Sequence, residues 1–531
     1  MENIFKINNL MVFVFLIVLS GCTKNFDELN TDPNAISAAE LDGSFAGPAF
    51  ANALYKGLHH GSNTGSSDDH GTYGLITMLH SMVFVHFQSV TDVGWPTERN
   101  GVNDGWRARG WTRFYSLAVP SLNTAYKASE GNAEAIAILD IWKVYMYHKM
   151  TDHFGPIPYF EAGKGGESVP YDSQESMYND FFTLLDNANN TLGTSSGSVG
   201  IFQSFDRVFD GNIQKWKKFG NSLRLRLALR ISDIDPSNAK IQAESAVAAG
   251  VMESNADNAL FAVSDATDNN FNKITGRSGW GFAMSASMES ILKGYSDPRL
   301  PVWFTPSVNG GSFTGQPNGG GAVRNWTRDD VASTNDAIWG SDLRTSKAIE
   351  IITTAEIYFN RSEGAINGWN MGGDTAKSYY EQGIQMSMGQ WGIADATAIS
   401  NYISGVSTPV VPDLAAEYTA VGLSTTPPVS VPVSWAATIN EQRTQITVQK
   451  YLALFPEGSW EAWADLRRTD AEILYPLLNT ENTDTNVGRG LMKRVPYLPN
   501  EYSTNNAEVL KAVNTIGGQD TGGAKLWWDV N

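Results

Sequence analysis

One cysteine, Cys22, stands in a chain of 531 residues. No disulfide can form within the chain, so stability must come from buried apolar area, which a chain of this length can supply. Past residue 19 no apolar run approaches the roughly 18 residues that a membrane-spanning helix needs. Positive charge is also short: 38 Lys and Arg face 56 Asp and Glu, a formal net charge of −18. Nucleic acid, whose phosphates need a basic footprint, is thereby excluded, and so is an electrostatic hold on anionic lipid headgroups. Histidine is scarce, with seven residues, all between His59 and His153. His80 and His86 are six apart and His148 and His153 five apart, so neither pair has the i,i+4 spacing of a helical zinc site. His59, His60 and His70 lie near Asp68 and Asp69, and no string has the spacing of a calcium loop. No metal and no cofactor are expected, although calcium stays open. The strand-turn-helix context of a G-x-S-x-G nucleophile and a phosphate-cradling loop are also missing.

What the chain does have begins at Leu10–Leu19, ten apolar residues that run into Leu19-Ser20-Gly21-Cys22. Ten is about half of a span, so this is an export signal rather than an anchor helix. The ending resembles the lipobox of bacterial lipoproteins, in which cleavage precedes a diacylated cysteine. Residues 1–21 are then a signal peptide and Cys22 a lipidated N-terminus, whose acyl chains contribute roughly 0.8 kcal/mol per buried CH₂. The composition past it holds 16 Trp, 19 Tyr and 50 Gly with only 18% charged residues. Aromatic faces mixed with amides suit neutral, hydroxyl-rich ligands.

A polar tether at 22–42 turns at Asp32-Pro33-Asn34. Helical periodicity then predicts helices over Leu75–Gln88, Trp106–Tyr126, Ala133–Met150, Gln174–Asn189, Ile213–Arg230, Ile241–Ala249, Lys347–Asn367, Thr375–Gln390 and Glu441–Leu454. The short connection Ser129 to Asn132 predicts antiparallel neighbours on its two sides. Residues 300–345 form a long Gly- and Trp-rich excursion. Residues 404–434 form a second loop whose Val-rich stretches are expected to pair as short strands. From Pro496 onward regular periodicity is weak.

Several strings together resemble the SusD/RagB superfamily of outer-membrane nutrient-binding lipoproteins, in its SusD-like branch. They are NFDELNTDPN at 25–34, DHFGPIPY at 152–159, AEIYFNRSEGA at 355–365, YEQGI at 380–384, QKY at 449–451, WADLRRT at 463–469, RVPYLP at 494–499 and LWW at 526–528. In the third, Ser362 and Gly364 replace the commoner alanines. The resemblance implies a mainly α fold, a single domain over 22–531 with four tetratricopeptide-like helix pairs and long irregular loops. It implies a non-catalytic lipoprotein of the cell outer membrane, facing the exterior and held only by its lipid. Its partners are an oligosaccharide or glycan and a SusC-like TonB-dependent transporter. A peptide-binding subunit of such a transporter is the alternative, and a surface glycoside hydrolase a more distant one.

In 355–365, Glu356 and Asn360 form a polar i,i+4 pair beside the apolar stripe, and Glu363 and Arg361 are expected to ion-pair with other helices. Glu461 and Asp465 beside Arg467 and Arg468 have the spacing of ion pairs rather than of a poised general acid. The adjacent pairs Asp68-Asp69 and Asp329-Asp330 are the remaining carboxylates a hydrolase would draw on. The ligand is expected between loops 91–106 and 301–345, with Trp95, Trp106, Trp303, Trp326 and Trp339 as stacking faces and Asn100, Asn103 and Asn325 reading hydroxyls. Trp111, Trp142, Trp216, Trp369, Trp391, Trp460 and Trp463 are expected in the core. Mass spectrometry of the native protein should find an acylated Cys22 at the mature N-terminus, and an unmodified cysteine there overturns the lipoprotein reading.

Overall fold

The computed structural model describes residues 42–58, 73–166, 168–275, 279–321 and 324–531. The signal peptide, Cys22, residues 22–41 of the tether, and His59, His60, Asp68, Asp69 and His70 lie outside the described residues. Helices dominate: α1 Ala46–Gly57, α2 Gly74–Met82 (wound as a π-helix), α3 Asp104–Arg113, α4 Val119–Ala128, α5 Ala133–Phe154, α6 Gln174–Leu192, α7 Ile213–Arg230, α8 Pro236–Ala249, α9 Ala286–Gly294, α10 Thr354–Ile366, α11 Ala376–Gln390, α12 Ile439–Ala453, α13 Ser459–Thr469 and α14 Asn506–Thr515. Three two-stranded antiparallel ribbons accompany them. Strand β1 Gln88–Val90 pairs with β3 Phe282–Met284, β2 Ala259–Phe261 with β6 Ile349–Ile352, and β4 Phe304–Thr305 with β5 Ser333–Thr334.

The helix starts follow from capping chemistry. Asn132, Ser173, Asn212, Asp235 and Thr375 each precede a helix and accept a backbone N–H three residues on. That bond satisfies one of the orphan donors of a first turn. Asp235 with Pro236 also explains why α8 starts five residues before the predicted Ile241. Gly155 and Gly193 end α5 and α6 in left-handed conformations, which glycine adopts without a Cβ penalty.

Consecutive helices pack as pairs, α5 on α6, α7 on α8 and α10 on α11. Four expectations change. Despite the short connection after it, α4 packs chiefly on α1 and only lightly on α5. The predicted helix over Lys347–Asn367 opens as strand β6, because Ile349, Ile351 and Ile352 are β-branched and β2 offers an edge. The 404–434 loop holds a short helix, Ala415–Ala420, and no strand among the described residues. Its buried Val429, Val431 and Val433 alternate as a strand would. Side chains replace the missing partner strand: Tyr295 donates to Val431 O, Tyr380 to Val433 O, and Gln445 Nε2 to Pro432 O and Ser434 O. Beyond Pro496 the chain forms a short helix, Pro499–Thr504, and then α14.

A buried ionic network crosses the helical body. Arg226 on α7 makes a two-point contact with Glu356 on α10, at 2.7 and 2.6 Å. Arg230 reaches Glu461 on α13 at 2.6 Å and Asp152 on α5 at 3.6 Å. Lys450 on α12 contacts Asp465 at 3.0 Å, and Arg468 joins Asp465 at 2.9 Å to Glu363 at 2.7 Å. All of these groups are buried. Burial pushes the Asp465 carboxyl up, and Lys450 and Arg468 more than reverse it, holding it well below the usual carboxylate range. The strings at 152–159, 355–365, 449–451 and 463–469 are therefore architectural. Removing one member leaves an uncompensated buried charge, so Glu356→Ala should cost about 3–5 kcal/mol of unfolding free energy in a denaturant titration. A loss within experimental error contradicts this role.

Candidate ligand-binding surface

Strand β1 fixes the loop that follows it. Its register, Gln88 opposite Met284 and Val90 opposite Phe282, is extended by Thr91, whose N–H and hydroxyl both donate to Gly281 O. Residues 91–95 are thereby held beside 279–282. Trp95 packs on Trp280 with ring centroids 5.2 Å apart and on Trp106 at 5.8 Å, tilted by 59° and 53°. Trp280 lies against α2 at Gly74, where a Cβ would fall 2.4 Å from its ring. Trp106 sits in the first turn of α3, whose cap is Asn103, with Oδ1 accepting Trp106 N–H at 3.1 Å. All three rings are half-buried, with Val93 and Val102 exposed nearby in the same loop. Packing on its neighbours restricts the rotamers of each ring.

The rest of the loop is sewn down. After the turn Pro96–Arg99, Asn100 takes a left-handed conformation (φ 57°) and donates Nδ2 to Gly490 O at 2.8 Å. Arg99 pairs with Glu481 at 2.5 Å, and Glu481 N–H donates to Arg99 O. The first half of the Gly-rich excursion lies along β1, where side chains substitute for a ladder. Gln316 Nε2 donates to Val90 O at 2.6 Å and Asn318 Nδ2 to Gln88 O at 3.1 Å. At Gly319 (φ 79°) a Cβ would lie 2.7 Å from Asn479 O, so a side chain there would lift this layer off its neighbour.

These positions sort the predicted residues. Trp95, Trp106 and Asn103 come together at the surface, and Asn325 is exposed in the Gly-rich excursion. Trp303 and Trp339 are core: Phe455 lies 4.9 and 5.6 Å from their rings, and Trp391 packs on both. Trp326 is buried in a small cluster with Tyr418, Tyr475 and Leu478. Asn100 is buried and serves as a strut. The five tryptophans therefore do not line one groove. An irregular backbone has few regular hydrogen bonds to hold it, and large rings that bury about 150–250 Å² each pin it to the body. Of the tryptophans expected in the core, Trp369 alone stays half-buried. Trp280 was not among the expected site residues. Its signal is the isolated aromatic in Ser278-Gly279-Trp280-Gly281, a side chain too large for a flexible turn to leave unused.

A second feature is a cavity of about 800 Å³, lined among others by Glu363, Glu441, Arg443, Arg468, Asp470 and Glu472. It has no aromatic lining, so it lacks a face on which a sugar ring could stack. Elsewhere, hydrogen bonds from Thr327 and Asn309 hold the Asp330 carboxyl down at about 2, the reverse of a general acid. Burial pushes His80 down to about 4 and His86 to about 3, so both are neutral core groups. Among the described residues no three His, Cys, Asp or Glu gather as metal ligands, and no helix is long and apolar enough to cross a membrane.

The family model "SusD-like: Susd and RagB outer membrane lipoprotein" matches residues 28–529. A chitin-binding SusD homolog from Flavobacterium johnsoniae is 31% identical, with a TM-score of 0.79 over 92% of this chain and 99% of its own. A SusD homolog from Bacteroides uniformis is 30% identical with a TM-score of 0.79 over 92% and 99%. One from Bacteroides vulgatus is 26% identical with a TM-score of 0.80 over 91% and 98%. No curated protein matches the sequence. The chain belongs to the SusD-like family of outer-membrane lipoproteins, which are binding proteins and not enzymes.

Proposed function

We propose that this protein captures a neutral oligosaccharide on Trp95, Trp106 and Trp280 and delivers it to a SusC-like TonB-dependent transporter. The observation that carries the reading is the three-ring surface, in which Trp95 packs on both Trp106 and Trp280 and all three residues are only half-buried. Sugars present an apolar ring face bordered by hydroxyls. Stacking supplies affinity, and a few placed polar groups, here Asn103 and Asn325, supply orientation. The homolog from Flavobacterium johnsoniae binds chitin, which makes N-acetylated β-linked oligosaccharides the first ligands to try. In this proposal Cys22 carries the lipid, the protein faces the cell exterior, and four tetratricopeptide-like helix pairs form the rigid body beneath the loops.

Isothermal calorimetry against chitin oligosaccharides and a panel of plant and microbial glycans tests the site. Each of Trp95→Ala, Trp106→Ala and Trp280→Ala should weaken binding by about 2 kcal/mol, with unchanged helical content. Full affinity in the triple variant, or binding to peptides alone, contradicts the proposal.

A further inference from the structure

The turn that follows Trp95 buries a carboxyl. Glu98 is 3% exposed. Its Oε1 accepts Ser89 Oγ on β1 at 2.8 Å and Gly319 N–H in the Gly-rich excursion at 2.9 Å. One carboxyl thus joins the Trp95 turn, β1 and the excursion at a single point, three residues from the central ring of the surface. Gln316, which donates to Ser89 Oγ at 2.8 Å, extends the same junction.

The charges around Glu98 leave it without a counter-ion. Its neighbour Arg99 is paired with Glu481. From the 404–434 loop comes Tyr418, a buried phenol that feels both Glu98 and Glu289. Glu289 on α9 is itself paired with Lys293 at 2.7 Å, and Lys293 also holds Asp413 at 2.7 Å. Among the described residues Glu98 makes no ion pair.

We propose that Glu98 is a positioning residue for the tryptophan surface, a buried carboxyl that clamps the Trp95 turn when it holds a proton and slackens the clamp when it loses it. Burial pushes Glu98 up to about 7, against the donors Ser89, Gly319 and the Val90 backbone N–H and the field of Arg99. In an open, hydrated turn the same carboxyl titrates near its ordinary value of about 4.3. The clamped form therefore binds the proton more tightly, its advantage is complete in acid, and it is lost as pH rises through about 7. The inference rests on the ligand reading above for its consequence, since slackening the turn releases Trp95 from its place between Trp106 and Trp280.

Hydrogen exchange on the full chain without ligand tests the clamp directly. Corrected for intrinsic rates, the opening constant of the amides around Val90 and Gly319 should rise about ten-fold from about pH 6 to about pH 8. Glu98→Gln keeps the shape and an acceptor without the titration, so its opening constant should stay flat across that range. Ser89→Ala removes a donor that favours the carboxylate and should move the transition to higher pH, a readout that survives if Glu98→Gln fails to fold. Oligosaccharide affinity should fall over the same range in the wild type and not in Glu98→Gln. The same pH profile in wild type and Glu98→Gln, or an opening constant that falls with rising pH, overturns the clamp. An intact exchange profile in a protein that binds no oligosaccharide supports the clamp and overturns the ligand reading alone.

Discussion

Glu461 is the point on which the helical body depends. Its carboxylate lies 2.6 Å from Arg230, 3.5 Å from Arg226 and 3.8 Å from Lys450, and through them it reaches Glu356, Asp152 and Asp465. Burial pushes the Glu461 carboxyl up, and the three cations reverse only part of that. Such a network adds little net stability over an apolar core of the same volume, because each ion is stripped of water. What it supplies is geometry. Apolar helix faces tolerate sliding by a fraction of a turn, whereas a two-point guanidinium–carboxylate contact such as Arg226 to Glu356 accepts one arrangement. Five helices drawn from residues 133 to 469, α5, α7, α10, α12 and α13, are held in mutual register by this set of contacts.

The loops use a different device. Few of their backbone groups find a ladder, so side-chain amides and carboxyls take that place: the buried Gln316, Asn318 and Glu98 along β1, and the buried Glu289 with the exposed Asp413 where the 404–434 loop meets the excursion. Asp413 accepts Ser312 Oγ and Thr314 Oγ1 at 2.8 Å, and Asp413 N–H donates to Glu289 at 2.9 Å. Tryptophans complete the fastening, with Trp303 and Trp339 locked around Phe455. A rigid frame thus carries a surface whose rings are set by side-chain contacts rather than by regular secondary structure.

This division explains what could be read from the chain. Helices with a cap and a clear apolar stripe, such as Ile213–Arg230, were legible to the residue, because local chemistry alone decides them. The ionic role of Glu461 and Asp465 was also legible, since Arg467 and Arg468 stand beside them in the same short string, whereas the pairing of Glu356 with Arg226 on α7 was not. Tertiary competition was not legible. Residues 347–352 keep helical rhythm but fold as β6 because β2 supplies an edge, and the alternating valines of 429–433 find side-chain donors where a strand was expected. The ligand surface was half legible for the same reason. A loop tryptophan looks alike in sequence whether it plugs the core, as Trp303 does, or stands at the surface, as Trp95 does. Only the β1–β3 register reveals that Trp280 belongs beside Trp95.

In the proposed function, ligand meets this protein at the three-ring surface and not in the polar cavity bounded by α12 and residues 468–473. A crystal structure with a saturating chitin oligosaccharide tests that most directly. A sugar ring should be stacked on Trp95, Trp106 or Trp280 with the buried Glu461 network unchanged. Sugar density in the cavity beside Glu441 and Arg443, with the three tryptophans uncontacted, would contradict it.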